Sequence, residues 1–201
     1  KEREHLSQAY IPELVFRDYD IRGLADSEIT PQFAKSLGLA LGALIRDTPI
    51  EPLTANTRQH SVYVGRDARL SSTRLATALK EGLTACGCNV IDLGEITTPA
   101  LNFAVHHGNQ SGNGIMVTAS HNPATYNGFK IILQHQVISG ETLQQLIPMM
   151  RDEKLDSDTP TKSAGSLIEA DIVSQYLDHI VEISKLQKSF KLVIDGANSV
   201  P

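Results

Sequence analysis

Gly114-Ile115-Met116-Val117-Thr118-Ala119-Ser120-His121-Asn122-Pro123, followed by Asn127-Gly128-Phe129-Lys130-Ile131-Ile132-Leu133, reads as a strand, a turn-rich loop and a returning strand. Asn122-Pro123 and Asn127-Gly128 are turn signals, because proline fixes φ while asparagine and glycine accept positive φ. The chain between Ser120 and Lys130 therefore doubles back and carries the lysine towards the serine. A serine at a strand end, with a histidine beside it and a lysine in reach, is a candidate for covalent chemistry. N–H groups converging in a tight loop, together with an ammonium, also suit an anion such as phosphate. On the residues alone, an ordinary hairpin closed by a Ser-His-Asn-Pro turn fits equally well.

Outward from this hairpin the pattern alternates strands and helices. Thr30-Pro31 starts a helix, with Phe33, Ala34, Leu37, Leu41 and Leu44 at helical spacing. Residues 47 to 60 are polar, contain Pro49 and Pro52, and read as a loop. Ser61 to Gly65 is a strand, Ser71-Ser72 cap a helix to Ala85, and Asn89 to Gly94 is the next strand. Thr98-Pro99 opens a helix ending at His107-Gly108, where the helix dipole is reason enough for His106 and His107. Ser139 caps a helix from Glu141 to Met150. Residues 151 to 167 read as a linker, Ile172 to Val181 as a helical stripe, and Lys191 to Gly196 as a new strand and turn. The alternation predicts an α/β fold with a mixed, mainly parallel sheet and helices on both faces.

Composition narrows the function. The 201 residues carry a net charge of −5, with 20% charged and 41% apolar residues, which is ordinary for a globular protein and offers no nucleic-acid surface. The apolar runs are too short to cross a membrane, and the charged N-terminus is no signal peptide. Cys86 and Cys88 are too close in sequence for an easy disulfide and lack a His/Cys cluster for zinc, so they read as packing residues of a reducing, cytoplasmic protein. A chain beginning at Lys1 and ending at Pro201 in mid-element reads as a fragment.

Thr118-Ala119-Ser120-His121-Asn122-Pro123 resembles the active-site serine loop of the α-D-phosphohexomutases, a superfamily that includes the phosphomannomutase/phosphoglucomutase enzymes. Asn127-Gly128-Phe129-Lys130 is similar to the continuation of that loop. Phe16-Arg17-Asp18-Tyr19-Asp20-Ile21-Arg22-Gly23 resembles the family's N-terminal active-site loop, and Val64-Gly65-Arg66-Asp67-Ala68-Arg69-Leu70-Ser71 its Gly-Arg-Asp strand-to-helix turn. Three separated motifs in the family's order are far more specific than one. The resemblance implies a tail at 1–13, the phosphoserine-bearing first domain at 14–155, and a linker with the start of a second, similar domain at 156–201.

It further implies an isomerase that interconverts hexose 1-phosphate and hexose 6-phosphate, of mannose or glucose, through a phosphoserine and a bisphosphate intermediate. Phosphoglucosamine mutase and a non-catalytic sugar-phosphate-binding module are the alternative readings. Ser120 is the implied phosphoryl carrier and, through that group, a Mg²⁺ ligand. Lys130 is the implied general acid/base or else a phosphate counter-ion. His121 supports the phosphoryl group or caps the loop, and Asn122 shapes the loop at the phosphate site. Arg17, Tyr19 and Arg22 line the substrate side, unless the Asp and Arg residues of their loop pair with each other. Arg66 and Asp67 read as fixing a turn. Mg²⁺ and glucose or mannose 1,6-bisphosphate are the implied cofactor and activator. The family's Asp-Gly-Asp-Gly-Asp-Arg metal loop does not occur in these residues. The fragment alone is therefore expected to be inactive and to depend on the remaining domains of its parent chain.

Overall fold

A computed structural model describes residues 10–47, 60–108, 110–152, 164–185 and 188–196. A 3-10 turn, Glu13–Val15, leads to strand β1, Ile21–Leu24, and helix α1, Pro31–Asp47. Thr30 Oγ1 accepts the Phe33 N–H at 3.2 Å, and Pro31 sits where an N–H would have no helical partner. Then come β2 (Ser61–Arg66), α2 (Ser72–Ala85), β3 (Asn89–Glu95), α3 (Thr98–His107), β4 (Gly114–Val117) and β5 (Tyr126–Leu133). The chain continues through β6 (Gln136–Val137), α4 (Glu141–Met150), β7 (Leu167–Glu169) and α5 (Val173–Ser184).

The strands form one mixed sheet in the order β1-β5-β4-β2-β3-β7, with β6 paired to the end of β5. Strands β4, β2, β3 and β7 run parallel, and β5 is antiparallel to both β4 and β1. Alternate residues point to opposite faces of the sheet. Val62, Val64, Ile115, Val117, Phe129 and Ile131 face α1, α2 and α4, where they pack with Phe33, Leu37, Leu79 and Leu146. Tyr63, Ile91, Met116 and Ile132 face the other way, against Leu101, Ala104 and Val105 of α3. This is the expected mixed α/β architecture with helices on both faces.

Several boundaries differ from the sequence reading. Strand β4 stops at Val117, not Ala119, and β5 begins at Tyr126, three residues before Phe129, because the ladder to β1 starts there. The cap of α3 is Thr97, whose hydroxyl accepts from Ala100 N–H at 3.4 Å, one residue before Thr98. Ser71 makes no side-chain cap, and Gly140 rather than Ser139 occupies the cap position of α4. Leu167–Glu169, beginning at the last residue of the stretch read as a linker, joins the sheet edge beside β3. Residues 191–196 form no strand and are exposed. The loop read at 47–60 lies mostly outside the described residues, as do 153–163 and 197–201.

Helices α1 and α2 approach closely through glycine. A Cβ at Gly82 would lie 2.2 Å from Lys35 O, and one at Gly38 would lie 2.3 Å from Leu79 O. Beside this contact the Cys86 thiol donates to Leu39 O at 3.2 Å and the Cys88 thiol to Gly42 O at 3.5 Å. Both cysteines are buried and free, as packing residues should be. Burial pushes the Cys88 thiol up to about 12 and, opposed in part by Arg46, raises that of Cys86 as well.

Two expectations follow from this packing. Gly82→Ala should destabilise the fold by about 1–3 kcal/mol in denaturant titration despite alanine's better helix propensity. An unchanged midpoint and slope would show that the helices separate freely. Cys86 and Cys88 should resist a thiol-reactive disulfide reagent at mildly alkaline pH until the protein unfolds, and rapid labelling of the native protein would contradict their burial.

Candidate active site

The serine loop is rooted on two backbone bonds. Asp67 N–H donates to Val117 O at 3.0 Å, and Thr118 N–H donates to Gly128 O at 3.0 Å. Gly128 is required where β5 meets β1, since a Cβ there would sit 1.9 Å from Ile21 O. Within the loop, Thr118 Oγ1 accepts the Ser120 N–H at 2.9 Å, and Ala119 O accepts the Asn122 N–H at 3.1 Å. Two of the N–H groups that an anion cradle would use are therefore already occupied. Ser120 has φ 57°, in the left-handed region that non-glycine residues rarely adopt. This conformation leaves its side chain exposed, with Oγ 3.0 Å from His121 Nδ1. The hydroxyl donates in that pair when Nδ1 is unprotonated, and Nδ1–H donates when it is not.

The loop turns its carbonyls, not its N–H groups, towards a cation. Arg69 Nη1 donates to Pro123 O at 2.7 Å and Tyr126 O at 3.1 Å. Its Nη2 donates to Asn122 O at 2.6 Å and Ser120 O at 3.1 Å. Its Nε donates to Asp67 Oδ2 at 3.2 Å. Asp67 Oδ1 accepts the Arg69 N–H at 3.1 Å and also the Ser72 hydroxyl. The amide of Asn127, fully buried, donates to Ser71 Oγ at 2.8 Å and Ser72 Oγ at 2.9 Å. The two serines read as helix caps thus hold the root of β5. Sequence reasoning missed Arg69, Ser72 and Asn127 in these roles. The available signal was an arginine two residues after an aspartate at a strand-to-helix turn. Arg66 does not pair with the Asp67 carboxylate as expected: its Nη1 donates to Glu95 Oε2 at 2.7 Å across the end of the β2–β3 ladder, and Asp67 is taken by Arg69.

Lys130 pairs with Met116 across the β4–β5 ladder, so it points to the α3 face of the sheet. There it lines an open cavity of about 800 Å³ together with Ser120, His121, Asn122 and Met116. Thr97, Thr98 and Pro99 put the N-terminal turn of α3, the positive end of its dipole, on the same cavity. Lys130 Nζ lies 3.3 Å from Asp20 Oδ2, which also accepts from Arg22 Nη2. Arg22 Nη1 donates to Asn122 Oδ1 at 2.9 Å, and its Nε is buried without a partner. The N-terminal loop therefore pairs its own Asp and Arg, and also reaches the serine loop through Asn122. Arg22 is not on the cavity wall, nor are Arg17 and Tyr19, whose side chains are exposed.

Three comparisons bear on this arrangement. Residues 13–156 match the family model described as phosphoglucomutase/phosphomannomutase, alpha/beta/alpha domain I. The chain belongs to this family. It is 37% identical over 194 residues to a phosphomannomutase/phosphoglucomutase of Pseudomonas putida, covering 96% of this chain and 39% of that protein. It is also 37% identical over 186 residues to a phosphoglucomutase of Neisseria gonorrhoeae, covering 92% of this chain and 38% of the other. A solved phosphoglucomutase/phosphomannomutase family protein from Burkholderia thailandensis superposes with a TM-score of 0.75 at 33% identity, covering 89% of this chain and 38% of that one. The chain thus spans under two fifths of the length of these relatives.

Asp20 is 9% exposed and is shared by two cations, whereas Lys130 keeps a third of its side chain in water. Asp20→Asn should therefore cost about 1–3 kcal/mol of stability. A denaturation midpoint and slope equal to the parent's would contradict that bridging role.

Proposed function

We propose that the polypeptide containing these residues interconverts hexose 1-phosphate and hexose 6-phosphate, with mannose or glucose as the sugar, using Ser120 as the phosphoryl carrier. The observation that supports this most is Ser120 itself. Its strained turn leaves Oγ at a large open cavity, with His121 3.0 Å away and Lys130 on the same wall.

In this reading a phosphoryl group on Ser120 Oγ moves to the free hydroxyl of the sugar. A P–O bond to that hydroxyl forms as the P–Oγ bond breaks, and Lys130 handles the proton exchanged between the two oxygens. The bisphosphate turns over and returns its other phosphoryl group to Ser120. Positioning supplies much of the acceleration, on the order of 7–11 kcal/mol for well-oriented partners. His121 steadies Oγ, Asn122 and Arg22 brace the loop from the N-terminal side, and Arg17 and Tyr19 present exposed groups to substrate. Glucose or mannose 1,6-bisphosphate primes the serine.

The Mg²⁺ that the family resemblance implies would meet this chain through an oxygen of the Ser120 phosphoryl group, neutralising charge on it. Among the described residues, no three His, Cys, Asp or Glu side chains group into a metal site. Asp20 and Asp67 are both engaged by cationic partners. The other ligands, and the second domain that 156–201 would begin, belong to the longer polypeptide in this proposal, and the 201 residues alone are inactive. A cytoplasmic setting goes with it, and no described helix is long and apolar enough to cross a membrane.

Intact mass and peptide mapping of the full-length polypeptide should find one stable phosphoryl adduct on Ser120. Ser120→Ala should lose both the adduct and mutase activity. An adduct that persists in the alanine variant would falsify the assignment. Parallel assays on mannose, glucose and glucosamine phosphates separate the proposed activity from phosphoglucosamine mutase. Binding without turnover by the intact polypeptide would make it a sugar-phosphate-binding module.

A further inference from the structure

Arginine has five N–H donors, and in Arg69 all five are used. One goes to Asp67, and four go to the carbonyls of Ser120, Asn122, Pro123 and Tyr126. A saturated guanidinium has nothing left to offer a phosphate oxygen, so Arg69 cannot bind substrate without releasing the loop. Its acceptors span the whole turn, and one of them is the carbonyl of Ser120, the residue held at φ 57°. An L-residue relaxes out of that region when nothing prevents it. Rotation about φ of Ser120 would swing the direction of Oγ away from the cavity wall that carries Lys130.

The arginine is itself fixed from behind. Asp67 accepts both the Arg69 backbone N–H and its Nε–H, and also takes the Ser72 hydroxyl at the start of α2. Ser72 in turn accepts from buried Asn127 at the root of β5. The start of α2, the serine loop and β5 thus form one connected polar unit. Charge-assisted bonds of this kind are the stronger class of hydrogen bond.

We propose that Arg69 is a positioning residue for phosphoryl transfer, which fixes the left-handed turn of Ser120 so that Oγ keeps one direction through both half-reactions. This rests on the reading of Ser120 as the carrier. Lysine offers three donors on a point charge and cannot span four carbonyls with a planar fork, so Arg69→Lys preserves charge and removes the clamp.

The test uses Arg69→Lys and Arg69→Ala in the full-length polypeptide. Amide exchange across 119–126 should quicken by about tenfold or more while α1 and β2 keep their protection. The kcat should fall on the order of 100-fold with KM changed less than about threefold, since a misplacement of about an ångström costs that much. Guanidinium ion at sub-denaturing concentration should restore part of the lost kcat in Arg69→Ala, and methylammonium should not. Should the alanine variant fail to fold, the lysine variant carries the exchange and kinetic arms. Parent-like loop exchange in Arg69→Lys overturns the proposal. So does exchange that quickens evenly through the domain, or a raised KM at unchanged kcat, which would make Arg69 a substrate ligand. If the unsubstituted polypeptide shows neither adduct nor turnover, the carrier reading fails, and the proposal of a role in transfer falls with it. The exchange arm then still reports whether the clamp itself exists.

Discussion

The antiparallel return of β5 along β4 is the constraint on which the rest of the site depends. Strands β4, β2, β3 and β7 run parallel and could have continued that way through another crossover helix. Instead the chain reverses within the serine loop, and β5 closes on β4 and β1 at once. The register Met116 to Lys130 puts the lysine on the α3 face, among apolar neighbours of the opposite core cluster. A slip of one residue would send Lys130 towards α1 and bring Phe129 or Ile131 to the cavity. Phe129 stacks on Phe33 with centroids 6.3 Å apart, so the apolar core and the position of the lysine specify one another.

The serine loop is stabilised by an unexpected polarity. Tight loops near phosphate often gather N–H groups towards the ligand. Here the Ser120 and Asn122 N–H groups bond inside the loop, and the outward carbonyls converge on one guanidinium. A left-handed serine costs about 1–2 kcal/mol. A hydrogen bond to a charged group returns about 1.5–3 kcal/mol in favourable surroundings, and Arg69 makes several, with only 15% of its side chain exposed. Those bonds, with the Thr118 Oγ1 bond to the Ser120 N–H, offset the strain.

Much of this was legible in the sequence. The hairpin could be read from Asn122-Pro123 between two apolar runs, and the sheet class from the alternation of periods; Asn127-Gly128, read as a second turn, instead lies inside β5, paired to β1 without a positive φ. The return of Lys130 towards Ser120 could be read from the second apolar run after the turn; the cavity they share could not. The Arg69 clamp could not be, because carbonyl groups carry no residue identity and any loop sequence presents them. Asp20 was visible only as part of a motif. That it bridges Arg22 and Lys130 depends on β1 lying beside β5, a pairing between residues more than a hundred positions apart. Strand β7 escaped because Leu167-Ile168-Glu169 is three residues long and follows a polar stretch, too short for a period to register. The stretch 191–196 is the opposite case, with strand composition over Lys191 to Ile194 but no pairing to any described strand.

The same geometry sets how much charge this wall can offer a phosphoryl group. Counting residues near the loop suggests Arg22, Arg69 and Lys130. Arg69 is saturated by carbonyls and Asp67, and Arg22 is tied to Asp20 and Asn122. Lys130 shares Asp20 with Arg22. Of these three cations, Lys130 alone turns an uncommitted side to the cavity, beside His121 and the positive end of α3. A phosphoserine carries close to two negative charges at neutral pH. One partly committed ammonium and a helix dipole do not neutralise it, so in the proposed reaction most of the balancing charge has to face Ser120 from across the cavity. The open side of the cavity is consistent with that demand. Two of the three cations, Arg69 and Arg22, are taken up in holding the serine loop.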